Sequence, residues 1–152
     1  MRVPKTLYII ADGGRGRYVQ RTGPGQFSTF RKFVSAHMHE KASELSHDRP
    51  GRVRESVGFT RHAIAARIDP RDKVETAFIR SLAEDLGEDS TVAGFDNLIL
   101  IAPGKLQKVF HDFLPASLAG KLVKCIDKDL TKIPDGDLYR HLPVLLFSQA
   151  AD

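Results

Sequence analysis

The chain has 152 residues, of which 41% are hydrophobic and 28% charged, with one cysteine and a net charge of +4. That size and balance predict one globular domain with a buried core; they exclude a disordered chain, and one cysteine excludes an internal disulfide framework. No apolar run reaches the length of a membrane span or a secretory leader, so the expectation is a cytoplasmic protein, in a reducing compartment, without membrane insertion.

The first element is the apolar run Leu7-Tyr8-Ile9-Ile10-Ala11, which stops at Asp12-Gly13-Gly14-Arg15-Gly16-Arg17 before Tyr18-Val19 resumes a strand pattern. This predicts strand, glycine-rich turn, strand, with Arg15 and Arg17 on one face. The glycines permit either positive φ or close backbone approach. A second turn, Thr22-Gly23-Pro24-Gly25, leads to a third strand from Phe27 to Val34, completing an antiparallel meander. From His37 to Ala66 the pattern weakens to one or two helical turns between Glu40 and Ser46, then a basic loop punctuated by Pro50-Gly51. A loop of that length in a compact domain commonly carries function.

Periodicity returns at Asp69, a candidate cap, followed by Pro70 at the first helical position and Asp72 where a capping-box acid belongs. Val74, Ala77, Phe78, Leu82 and Leu86 form one stripe, so a helix over 70–86 is predicted, stopped by Gly87. Asn97 to Ala102 reads as a strand buried on both faces. Pro103 opens a helix with Leu106, Val109, Phe110, Phe113 and Leu114 in register, and Pro115 closes it. A helical turn over Ala116 to Gly120, a fifth strand from Leu122 to Ile126, a short helix from Pro134 to Leu142 and an apolar tail, Val144 to Phe147, complete the chain. The predicted fold is a single α/β domain: a three-strand antiparallel meander followed by βα units, with a parallel pair, in a mixed five-stranded sheet.

The motifs Ala11-Asp12-Gly13-Gly14-Arg15-Gly16-Arg17, Asp48-Arg49-Pro50-Gly51-Arg52, Asp69-Pro70 and Asp127-Lys128-Asp129-Leu130-Thr131 occur in the order seen in the bacterial host attachment family. From about Thr6 to Leu142 the chain resembles that family, which is similar in turn to bacterial relatives of the archaeal and eukaryotic release factors. The resemblance implies an RNase H-like sheet, as in the release factor middle domain, and a translation- or RNA-linked role. The family's name implies attachment to host cells. The Gly-Gly-Gln of release factors is absent, so peptidyl-tRNA hydrolysis is not carried over.

Charge supplies the candidate site. Residues 1–71 hold fourteen Lys and Arg, eleven of them Arg, against six Asp and Glu, while the remainder of the chain is net acidic. Arginine forks match phosphate and carboxylate and stack on bases. The candidate anion or nucleic-acid contacts are Arg15, Arg17, Arg49, Arg52, Arg54, Arg61 and His62, organised by Asp12, Gly13, Gly14, Asp48 and Gly51, with Tyr18 and Phe59 as stacking faces. Two readings stand side by side: the arginines meet a partner, or Asp12 and Asp48 hold Arg17 and Arg49 in internal ion pairs.

Other chemistry has less support. Asp12 stands where an RNase H-like nuclease places a metal carboxylate, but an aspartate at a turn more simply bonds its own backbone. The glycines match neither a dinucleotide fingerprint nor a phosphate loop. His37-Met38-His39 lacks a zinc ligand set, Ser46-His47-Asp48 lacks triad context, and Cys125 reads as an inert core thiol. No metal or cofactor is expected. A binding domain for RNA or the ribosome is therefore the leading expectation. A protein-interaction factor with an acidic partner, indirectly required for attachment, and a metal-dependent nuclease or phosphoesterase centred on Asp12 are the alternatives.

Overall fold

The computed structural model describes residues 4–36 and 70–142. The segment between them and the Val144 to Phe147 tail therefore lie outside the described residues. Five strands, β1 (Thr6–Ala11), β2 (Arg15–Gly23), β3 (Gln26–Val34), β4 (Asn97–Ile101) and β5 (Leu122–Ile126), form one sheet in the order β3-β2-β1-β4-β5. β1 pairs antiparallel with β2 and parallel with β4; β4 pairs parallel with β5, so β2 alone runs against the rest. This is the expected meander and parallel pair, in the strand order of an RNase H-like sheet.

The two central strands explain their unbroken apolar runs. Every residue of β1 is buried, and its side chains alternate between two cores. Leu7, Ile9 and Ala11, with Leu98 and Leu100 of β4, face the helices α1 (Pro70–Glu88) and α2 (Gly104–Phe113) through Phe78, Leu82, Leu106 and Phe110. Tyr8, Ile10, Ile99 and Ile101 face the other way, against Leu130, Leu138 and Leu142 from the last described segment. That segment holds a 3-10 turn at Asp135–Arg140, where the sequence predicts a short helix. A four-residue helix α3 (Ala116–Ala119) precedes β5.

Three expectations change. Helix α1 runs through Gly87 to Glu88, because Gly87 serves packing: a Cβ there would stand 2.7 Å from Pro115 Cγ. The stop falls at Asp89, whose carboxylate accepts the Thr91 amide at 2.9 Å. The α1 stripe is also rotated, with Ile79 and Ala83 buried and Ala77 exposed. Cys125 is exposed, since β5 is a sheet edge with its central residues uncovered; partial burial still pushes its thiol up from its ordinary value, which keeps it protonated at neutral pH. Among the described residues, no helix is long and apolar enough to cross a membrane.

Candidate functional site

Parallel strands gather their following loops at one edge of a sheet, and such edges are where open α/β sheets form crevices. Here β1 and β4 end side by side at Ala11 and Ile101. The turn Asp12 to Arg15, the first turn of α1 and the first turn of α2 meet beyond them, around a cleft of about 560 Å³. Asp129 and Lys132 close it from the opposite layer.

The turn is built by Asp12. Its Oδ1 accepts the amides of Gly14 at 2.8 Å and Arg15 at 2.7 Å, and the Asp12 amide donates to the Arg15 carbonyl at 2.9 Å. This is the self-bonded turn aspartate that the sequence suggests. Its other oxygen lies 3.1 Å from the Thr131 hydroxyl, which also reaches Asp129 Oδ1 at 2.6 Å. A hydroxyl has one proton, so the two carboxylates share it. Among the described residues there is no group of three or more His, Cys, Asp or Glu placed to hold a metal ion.

Among the described residues only Gly25 has a positive φ, so Gly13 and Gly14 are not present for left-handed backbone. Gly13 serves close approach. A Cβ there would stand 2.3 Å from Glu75 Oε2 and 2.4 Å from both Cδ and Cγ, so the Glu75 side chain lies directly on the turn. Glu75 Oε1 sits 3.0 Å from Lys105 Nζ, and Asp72 Oδ1 lies 3.7 Å from the same nitrogen. The contact with Glu75, then the field of the two acids, holds the Lys105 ammonium above its usual value. The α2 end is stapled by Asp127, whose Oδ1 accepts the Gly104 amide at 2.9 Å.

The arginine pair expected on one open face is divided by the tertiary structure. Arg15 is exposed on the rim of the cleft and, among the described residues, its guanidinium has no ion-pair partner. Arg17, two residues on, turns under the sheet and is 12% exposed. Its Nη2 donates to the carbonyls of Leu130 and Ile133, and its Nη1 lies 3.8 Å from Asp135 Oδ1. Burial, only partly offset by Asp135, lowers its pKa from the ordinary arginine value. The internal reading thus describes Arg17, but with Asp135 and two carbonyls in place of Asp12. Tyr18 is also unavailable for stacking, since it is buried and donates to Asp85 Oδ2 at 2.9 Å. Arg49, Arg52, Arg54, Arg61, His62, Asp48, Gly51 and Phe59 lie outside the described residues.

Arg71, Glu75, Lys105, Thr131 and Lys132 were not legible as members of the site. Their shared signal is positional: Arg71 and Lys105 lie in the first turn of a helix, Glu75 in the second turn of α1, and Thr131 and Lys132 in the segment that follows β5. Only the parallel pairing of β1 with β4 brings those positions to one edge.

A family described as "protein required for attachment to host cells" matches residues 7–142. The chain belongs to that family. The match runs from Leu7 of β1 to Leu142, cleft included. No curated protein matches the chain. Among solved structures, the crystal structure of archaeal translation termination factor aRF1 is similar, with 10% identity and a TM-score of 0.47 over 90% of this chain. The chain covers 37% of that factor's chain.

Proposed function

We propose that this member of the host attachment family is an RNA- or ribosome-associated binding domain that takes a phosphate-bearing strand at the cleft beyond β1 and β4. The observation that carries the reading is Arg15: an exposed guanidinium on the cleft rim, without an ion-pair partner among the described residues. Lys132 and Arg71 stand on the same cleft. The arginine-rich N-terminal half and the resemblance to release factor relatives point toward the same partner. Both Asp12 oxygens are engaged by its own turn and by Thr131, which favours an organising role over metal chemistry.

The test is fluorescence anisotropy with a labelled single-stranded oligoribonucleotide across a salt series. Log K is expected to fall with log salt by about 0.7 for each phosphate neutralised. Arg15→Ala with Lys132→Ala is expected to weaken binding and to lower that slope by roughly one to two contacts. An affinity indifferent to salt and to both substitutions refutes the proposal. Capture of a protein partner that survives nuclease treatment would favour the protein-interaction reading instead.

A further inference from the structure

The cleft already contains an anion. Glu75 reaches across from α1, its side chain lying on Gly13, and its carboxylate meets Lys105 at 3.0 Å. The acid is the inner member of the pair: its side chain is 21% exposed, against 61% for Lys105 and 54% for the outer acid Asp72. A phosphate entering beside the Asp12 turn would find the Lys105 ammonium occupied and a like charge facing it. A like charge at such range opposes binding unless it moves away.

We propose that Glu75 is a built-in competitor for the cleft, occupying Lys105 in place of a ligand phosphate and giving it up when an RNA strand binds. The inference rests on the reading of the cleft as a phosphate site and adds how its affinity is set. Glycine at position 13 is part of the device, because only a residue without Cβ lets Glu75 reach its seat. A methyl group there would displace the flexible end of the Glu75 side chain and leave the protein's net charge unchanged.

The experiment measures binding of a labelled oligouridylate to Glu75→Gln, Gly13→Ala, Lys105→Ala and the double variant Glu75→Gln with Lys105→Ala. Asp112→Asn, on the exposed side of α2, controls for loss of one negative charge. Glu75→Gln is expected to bind roughly two- to fivefold tighter than the wild type, the span expected for a partly exposed ion pair. Its salt slope should steepen by about 0.7 as Lys105 joins the contact. Gly13→Ala should tighten binding in the same direction, with folding checked by thermal melting. The gain from Glu75→Gln should vanish in the Lys105→Ala background, as a double-mutant cycle requires of a pairwise effect.

Wild-type binding that Glu75→Gln leaves unchanged or weakens overturns this inference and leaves the proposed function standing. A gain that persists without Lys105, or that Asp112→Asn reproduces, also overturns it. If neither the wild type nor Glu75→Gln binds oligouridylate at low salt, both proposals fall.

Discussion

Replacing Arg17 by alanine should destabilise the fold, although the residue reads as a surface arginine of a glycine-rich turn. Its guanidinium holds the last described segment on the underside of the sheet through the Leu130 and Ile133 carbonyls, with Asp135 beside it. Asp135 is latched in turn to β3, accepting the Thr29 amide at 2.8 Å and the Thr29 hydroxyl at 2.6 Å. Hydrogen bonds to a charged donor contribute about 1.5–3 kcal/mol each, and a partly exposed ion pair about 0–1 kcal/mol. The freed carbonyls can recover part of this from water, so the expected loss is about 2–4 kcal/mol. For a domain of this size that corresponds to a fall in melting temperature of roughly 6–12 °C. Thermal and urea melts followed by circular dichroism measure it, and hydrogen exchange should show early opening around Leu130 to Ile133. Arg17→Lys, which keeps the charge but not the fork, should fall between. Arg15→Ala should leave stability within about 0.5 kcal/mol of the wild type. A melt of Arg17→Ala within about 2 °C of the wild type would refute the assignment.

The remaining predictions concern the turns and the pH range. Gly25→Ala should cost about 1–2 kcal/mol in a urea melt, because φ is 68° there and the nearest side-chain atom, Tyr139 Cβ at 3.9 Å, leaves backbone strain as the cause. Gly25→Asn, which tolerates that conformation better, should recover part of the loss. Burial acts to raise the Asp89 pKa, but the Thr91 amide and Arg31 together outweigh it and leave the carboxyl below its usual value. A depressed carboxylate contributes stability above its unfolded pKa and loses it as pH falls through the folded value, so stability should decline below about pH 4. Arg31→Ala should flatten that decline. Burial, then the bond to Asp85, raises the Tyr18 pKa; its contribution is present below the unfolded value and should be lost as pH climbs above about 10. Denaturant melts across pH, with Tyr18→Phe for the alkaline limb, check both.

The elements were legible in the sequence wherever a local pattern sufficed. The apolar runs of β1 and β4 mark strands buried on both faces, and each strand feeds both cores. Asp12 could be read as a turn aspartate because its main partners are two and three residues away. The strand Leu122 to Ile126 was equally visible, but not its place at the sheet edge, which exposes Cys125. Gly87 looked like a stop because glycine ends helices; its actual constraint, Pro115, comes from another element.

Only tertiary structure could separate Arg15 from Arg17. Both alternate from the same strand to the same side, and locally nothing distinguishes them. The carbonyls that take up Arg17 lie 113 and 116 residues further along the chain. The cleft has the same origin: Asp12, Glu75, Lys105 and Lys132 come from four separate stretches, and it is the parallel docking of β4 on β1 that brings them to one edge. By itself, then, the sequence determined the strands, the two long helices and the concentration of arginine in the N-terminal half. Which arginine stays exposed, and which acid pairs with Lys105, was decided by packing, because those contacts are set by proximity in space and not by spacing along the chain.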